Sequence, residues 1–232
     1  MNTKNKKKSK TFIIGLAVAA LLPLSLYFVM RMFSDGSLVI PGTYHYDEII
    51  PISEEDGTLT YDTVFHKISD IELTNQLDRE VNINQQLRDK ILVISFFDID
   101  CPTCEEVTSL MNKVQKSFIK KNPDIVHFLS INEAGHLKGD VNSIRDYSDK
   151  FRSDHDRWWF LTGDTEEISS IIQHEFNIKP DSTINHEHIN QIVLVDTFRN
   201  IRGYYNGLEL VEGKNISDDI IILNMEKRKK KK

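Results

Sequence analysis

The stretch ILVISFFDIDCPTCEEVTSLMNKVQ, residues 91–115, contains both cysteines of the 232-residue chain and a change in its hydrophobic period. Its first seven residues form a short apolar run, as strands buried in a parallel sheet do. After the cysteines, apolar residues recur at helical spacing until Asn122-Pro123 ends the pattern: Val107, Leu110, Met111, Val114 and Phe118. The stretch therefore predicts a strand followed by a helix, with Cys101 and Cys104 at the junction.

Outward from this unit, strand patterns and helix patterns alternate along the chain. Two apolar runs near the C-terminus are separated by a short turn and predict a β-hairpin. The predicted strands are 125–131 and 158–162, and the predicted hairpin is formed by 189–196 and 201–205. Helices are predicted at 141–151, from after Gly163-Asp164 to Phe176, and over about 216–226. This order predicts an α/β class protein, in which helices and a mixed sheet pack as a sandwich.

The basic residues concentrate at the two ends of the chain. Of the 29 lysines and arginines, five lie in residues 1–10 and six in residues 227–232, and neither segment contains an acid. Only 18 basic residues remain between them to balance all 35 acidic ones. An acidic body argues against binding to nucleic acid, which requires a basic face on the folded part. We expect the basic tail to be solvated.

Residues 11–30, TFIIGLAVAALLPLSLYFVM, carry no charge, and about 20 apolar residues are enough for a helix to cross a bilayer. The heavier positive charge precedes this run, which predicts a cytoplasmic N-terminus and an exported body. A cleaved signal peptide is the alternative, although no small-residue site closes the apolar run. The predicted layout is a cytoplasmic segment 1–10, a transmembrane anchor 11–33, a tether 34–60 with little regular structure, a domain 61–226 and a tail 227–232.

The cysteine pair has a setting that suits sulfur chemistry. Disulfides persist in exported domains, and the N-terminal end of a helix stabilises a thiolate. A thiolate both attacks disulfides and binds soft metals. Four acidic residues surround the pair and disfavour thiol ionisation, whereas a bound cation would reverse that cost: Asp98, Asp100, Glu105 and Glu106. The pattern favours metal binding and leaves redox chemistry open.

Two histidines are candidates for a third metal ligand. His186 and His188 precede the strand at 189–196, and in an extended chain their side chains point to the same side. Sites in α/β proteins gather at the connections near strand ends. The pattern itself does not choose between the two.

Four segments, in order, resemble the SCO/SenC family: DKILVISFFDIDCPTC (89–104), RWWFLTGD (157–164), HINQIVLVD (188–196) and IRGYYNG (201–207). The similarity covers roughly Val64 to Met225. It implies a membrane-anchored, thioredoxin-like protein that binds copper through two cysteines and one histidine and serves cytochrome c oxidase assembly. By the family's register, the histidine stands eight residues before Asp196. The implied ligands are Cys101, Cys104 and His188, with His186 as the runner-up.

The chain departs from the family at the cysteines. Family members usually have C-x-x-x-C followed by proline, whereas here Cys101-Pro102-Thr103-Cys104 is followed by Glu105. This shorter spacing is that of thioredoxin-type redox proteins. Those enzymes commonly place a cis-proline in the loop that faces the pair, and the corresponding residue here is Asn190.

Three hypotheses about function remain open. The first is a copper chaperone that binds Cu(I) and Cu(II) and delivers copper to a respiratory oxidase subunit or to another copper or thiol protein. The alternative is a thiol–disulfide oxidoreductase in which Cys101 attacks, Cys104 resolves and the two form a disulfide. The third is a domain that binds partners through its surface and uses neither sulfur. All three predict a single-pass protein of the inner (cell) membrane, with its domain on the periplasmic or extracytoplasmic side.

Overall fold

The computed structural model describes residues 4–33, 40–53, 59–119, 124–133, 140–179 and 187–230. It divides into two compact units, Met1–Val39 and Ile40–Lys232. The first unit contains helix α1, Lys4–Phe33, whose span Phe12–Val29 has a mean hydropathy of 2.4 and no buried residue. By length and composition, this helix is able to cross a membrane.

The second unit is built on a seven-stranded mixed sheet with the order β4-β3-β7-β6-β5-β8-β9. Its strands are β3 (Glu72–Asn75), β4 (Glu80–Asn82), β5 (Ile91–Phe97), β6 (Val126–Asn132), β7 (Trp158–Thr162), β8 (Gln191–Val195) and β9 (Ile201–Asn206). The central strands β5, β6 and β7 are parallel, and β8 and β9 continue the sheet as an antiparallel hairpin. Every residue of β5 and β6 is buried, as their apolar runs predict. The predicted α/β class and thioredoxin-like sandwich are confirmed.

Helices cover the sheet: α2 (Ile83–Gln86), α3 (Cys104–Ile119), α4 (Val141–Lys150), α5 (Thr165–Ser170) and α6 (Glu212–Lys230). A π-helical turn, Ile171–Glu175, follows α5, and a 3₁₀ turn, Glu187–Asn190, leads into β8. Helices α3 and α4 meet where the hydroxyls of Thr108 and Tyr147 lie 3.1 Å apart. Helix α3 begins at Cys104, so Pro102 lies in the preceding turn and not at the first helical position.

The chain before the main sheet forms a second, two-stranded antiparallel sheet from β1 (Tyr46–Ser53) and β2 (Leu59–Phe65). The prediction of little regular structure within 34–60 is therefore wrong for β1. Nearly all described side chains of the two strands are exposed, so their sequence carries no buried-face alternation to reveal them. The strands are held by their backbone ladder, and the predicted domain boundaries stay predictions.

Candidate metal and redox site

The two cysteines form a disulfide at the turn between β5 and α3, with their Cα atoms 5.4 Å apart. Cys104 is fully buried in the core, whereas Cys101 is partly exposed. Cys101 is thus the more accessible of the two sulfurs. Any partner, whether a metal ion or another thiol, therefore approaches the pair through Cys101.

The first turn of α3 supplies polar groups to Cys101. The backbone N–H of Cys104 donates to Cys101 Sγ at 3.2 Å, and Thr103 Oγ1 lies 3.5 Å from the same sulfur. Unpaired N–H groups at a helix N-terminus carry partial positive charge. When the disulfide is reduced, these groups favour the thiolate of Cys101 over the thiol.

The acidic residues near the pair are partly engaged by neighbours. Glu105 forms an ion pair with Lys150, and Asp98 accepts the backbone N–H of Asp100 at 2.9 Å. The pKa of Tyr147 is raised to about 12, chiefly by burial; a hydrogen bond with Thr108 opposes this rise, and the charges of Glu105 and Asp98 contribute to it. The site thus combines negative surroundings with donor groups aimed at one sulfur. A bound cation would be stabilised by both the carboxylates and the sulfurs.

Asn190 joins the 3₁₀ turn to the turn that contains Cys101 and Cys104, called the cysteine turn below. Thr103 Oγ1 donates to Asn190 Oδ1 at 2.9 Å, across 87 residues of sequence, and Gly207 N–H donates to the Asn190 carbonyl oxygen at 2.7 Å. A Cβ on Gly207 would lie 2.8 Å from Val107 Cγ1 and 2.9 Å from that same carbonyl oxygen. Only glycine therefore lets β9, α3 and the 3₁₀ turn meet at this point. The sequence marks Asn190 only as the residue at the position of the cis-proline, and nothing in its local pattern indicates the contact with Thr103.

The backbone of His188 lies in this 3₁₀ turn, two residues before Asn190. Its side chain lies outside the described residues, and so does the whole of His186. The structure therefore brings the backbone that carries His188 close to the cysteine turn. A ligand role for either histidine stays a prediction.

Asp196, which sets the register for His188, is a structural residue. It is buried and accepts from Arg202 Nη1 at 2.9 Å and from the backbone N–H of Phe198 at 2.8 Å. The backbone N–H of Asn200 also donates to it at 3.0 Å. These bonds fix the turn between β8 and β9, at the end of β8 opposite to Asn190.

Other described histidines lie in other settings. Burial, followed by the charge of Lys90, lowers the pKa of His127 to about 3, and its neutral ring packs on Trp159 with centroids 4.4 Å apart. Within the part of the chain that the structure describes, one group of three metal-ligating side chains has its donor atoms within 4.8 Å of one another: His45, Asp47 and His66. That group does not include the cysteines.

Together, the fold and the site define a thioredoxin-like domain with a Cys-x-x-Cys disulfide at the N-terminus of a helix. Neither the known family models nor the curated proteins include a match to the chain. Solved structures do match its fold.

A SCO1/SenC family lipoprotein from Bacillus anthracis superposes with a TM-score of 0.61 at 24% identity, over 68% of this chain and 95% of that one. BsSco is a member of the Sco family of cytochrome c oxidase assembly proteins in which a disulfide switch was identified. It superposes with a TM-score of 0.56 at 16% identity, over 76% of this chain and 98% of that one. Copper-bound ScoI from Bradyrhizobium japonicum superposes with a TM-score of 0.54 at 19% identity, over 68% of this chain and 99% of that one. The chain shares the fold of SCO/SenC proteins, so the resemblance seen in the sequence is confirmed for the fold.

Proposed function

We propose that the chain belongs to the SCO/SenC family and binds copper through Cys101, Cys104 and His188, in the service of cytochrome c oxidase assembly. The observation that supports this most is the hydrogen bond from Thr103 to Asn190. It holds the turn that contains His188 against the turn that contains both cysteines. Two thiolates and one imidazole, drawn from these two turns, are a donor set that suits copper.

The chemistry of these donors fits copper in two oxidation states. Soft thiolates select Cu(I), and one imidazole lets the same site accept Cu(II). An external dithiol, which is itself oxidised to a disulfide, supplies the two electrons and two protons that convert the Cys101–Cys104 disulfide into two thiols. Copper then binds the deprotonated sulfurs, with release of the thiol protons to solvent. The partly exposed Cys101 would be the sulfur through which copper passes to an oxidase subunit or to another copper or thiol protein.

A second candidate function is thiol–disulfide exchange, and the different exposure of the two sulfurs favours it. The Cys101 thiolate would attack a substrate disulfide, releasing one substrate thiolate and forming a mixed disulfide. The buried Cys104 thiolate would then attack Cys101 Sγ, release the second substrate thiol and form the disulfide seen here. Turnover of protein disulfides by the metal-free chain, compared with a free thiol, distinguishes this function from copper delivery.

We also propose that α1 anchors the protein in the cell membrane, with the body on the extracytoplasmic side. The apolar span Phe12–Val29 and the lysines that precede it support this orientation. A site facing outward would lie in the compartment where disulfides persist. Fusion of a reporter enzyme to the C-terminus tests the orientation.

Replacing His188 by alanine tests the proposed ligand set. In the reduced full-length chain we expect one copper per chain, and His188→Ala should weaken Cu(II) binding by about 10- to 100-fold or more, since even outer-shell partners of a metal contribute that much. Cu(I) should be affected less, because the two thiolates remain. Competition titrations with Cu(I) and Cu(II) chelators measure both affinities.

His155→Ala is the matched control, because His155 pairs with Asp149 at 3.0 Å and takes no part in the cysteine turn. It should leave both copper affinities unchanged. Equal affinities in the wild type and in His188→Ala would remove His188 from the site.

A further inference from the structure

A cluster of ligand-type side chains lies at the base of the β1–β2 hairpin, outside the cysteine site. His45 precedes β1, Asp47 is its second residue, and His66 directly follows β2. The pairing of Tyr46 with Phe65 and of Glu48 with Val64 leaves Asp47 as an extra residue in a β-bulge. Bulges re-aim side chains, and here Asp47 Oδ1 comes within 2.8 Å of His66 Nδ1.

The three side chains are arranged so that one ion is able to contact all of them. Their donor atoms lie within 4.8 Å of one another, and the rings of His45 and His66 are 4.4 Å apart. Asp47 has a side chain 54% exposed, whereas that of His66 is 17% exposed. The site is therefore covered by protein on the His66 side and open to solvent on the Asp47 side.

The π-helical turn fixes the orientation of both rings. His45 Nε2 lies 3.4 Å from the carbonyl oxygen of His174, and His66 Nε2 lies 3.3 Å from Glu175 Oε2. Each contact needs a proton on Nε2, which leaves Nδ1 as the nitrogen with a lone pair in a neutral ring. Histidines that bind metals commonly donate the other ring N–H to a carbonyl or carboxylate in this way.

Glu175 is itself held firmly in place. Its carboxylate accepts from the Ser69 backbone N–H at 2.8 Å and from Ser69 Oγ at 2.7 Å. Burial alone would raise the pKa of Glu175, but the hydrogen bonds from Ser69 and His66 outweigh it and lower that pKa. Glu175 therefore presents an ordered carboxylate oxygen to His66 Nε2.

His66 faces a carboxylate at each ring nitrogen, Asp47 at Nδ1 and Glu175 at Nε2. A neutral imidazole has one N–H and is able to satisfy only one of them. A cation between His66 Nδ1 and Asp47 resolves the conflict, because both groups then act as ligands while Nε2–H donates to Glu175. Two imidazoles and a carboxylate are the donors that Zn²⁺ and related divalent transition metals accept.

We propose that His45, Asp47 and His66 form a binding site for a divalent transition-metal ion of the Zn²⁺ class, with Glu175 orienting His66. The site is separate from the cysteine pair. The backbone bridges Tyr44–Ile201 and Lys67–Asn200 attach its segments to the turn end of the β8–β9 hairpin, while Asn190 lies at the opposite end. The ion would join the bases of β1 and β2, and His66 in turn contacts Glu175 of the π-helical turn, 109 residues further along the chain. Binding of the ion would therefore stabilise the β1–β2 hairpin.

Zn²⁺ titration of the full-length chain tests this site, with the Cys101–Cys104 disulfide kept oxidised so that the sulfurs cannot bind metal. Calorimetry should give one Zn²⁺ per chain, and Zn²⁺ should raise the unfolding temperature. We expect His45→Ala and His66→Ala to abolish this binding, and Glu175→Gln to weaken it by about 10- to 100-fold. His174→Ala is the matched control and should bind as the wild type does, since only its backbone carbonyl contacts the cluster.

Asp47→Asn keeps the test decisive if a histidine variant fails to fold, because the Asp47 side chain is exposed. It should fold as the wild type does by circular dichroism and bind Zn²⁺ at least about 10-fold more weakly. Absence of Zn²⁺ binding by the oxidised wild type would overturn the proposal and leave His66 as a residue that only hydrogen-bonds to Asp47 and Glu175. Wild-type affinity in His66→Ala would overturn it as well. The cysteines take no part, so neither result bears on the proposed copper function.

Discussion

Replacing Cys101 by serine is expected to lower the Cu(I) affinity of the reduced full-length chain by at least about 100-fold. The loss of one outer-shell partner already costs metal sites about 10- to 100-fold, and here a soft ligand is removed altogether. Serine offers a hard oxygen that Cu(I) does not prefer. Competition with a chromophoric Cu(I) chelator measures the change, and the chain has only two cysteines, so thiol counts before and after reduction are unambiguous.

Thr103→Ser is the matched control within the same turn, because serine keeps the hydroxyl that donates to Asn190. Its Cu(I) affinity should equal that of the wild type. Wild-type Cu(I) affinity in Cys101→Ser would contradict the copper proposal. If the wild type also reduced protein disulfides faster than a free thiol, the oxidoreductase hypothesis would take its place.

Replacing Gly207 by alanine should disturb both stability and the site. The added Cβ would come within 2.9 Å of the Asn190 carbonyl oxygen, which is backbone and cannot turn away as a side chain does. Overpacking of this kind costs about 1–3 kcal/mol of unfolding free energy. Displacement of Asn190 would also move the turn that contains His188, so Cu(II) binding should weaken more than Cu(I) binding. Denaturant unfolding and the two copper titrations measure these effects.

Gly213→Ala is a matched control, because Gly213 also lies against side chains of α3. Its Cβ would meet Leu110 Cδ1 at 2.8 Å, the far end of a flexible side chain, and Gly213 lies within α6, where alanine is the better helix former. We expect its stability to stay within about 1 kcal/mol of the wild type and its copper affinities to be unchanged. Equal stability of Gly207→Ala and the wild type would show that the close approach at Asn190 does not constrain the turn.

The sequence predicts the parts of the fold that are decided by burial. Strands β5 and β6 are recognisable because a strand that is buried on both faces needs a continuous apolar run. Helix α3 is recognisable because its apolar residues recur at helical spacing on one face. The β8–β9 hairpin follows from two apolar runs around a short turn. The position of both cysteines at the strand–helix junction comes from the same change of period.

The remaining features depend on contacts that no local pattern encodes. The β1 strand, YDEIIPIS, mixes two acidic residues, three isoleucines and Pro51 without a buried face, and its pairing with β2 makes it a strand. The bond between Thr103 and Asn190 joins residues 87 apart. Likewise, His66 and Glu175 are 109 residues apart and meet only because the hairpin base and the π-helical turn are neighbours. Spacing along the chain reveals candidate ligands that share one element, but not side chains that come together from separate elements.

X-ray absorption at the copper edge, on the reduced full-length chain loaded with one Cu(I), tests most directly whether the two turns converge on a single ion. The wild type should show two sulfur neighbours and one imidazole nitrogen, and His188→Ala should keep the sulfurs and lose the nitrogen. A spectrum with sulfur neighbours alone, identical in the wild type and the variant, would contradict the convergence of Cys101, Cys104 and His188.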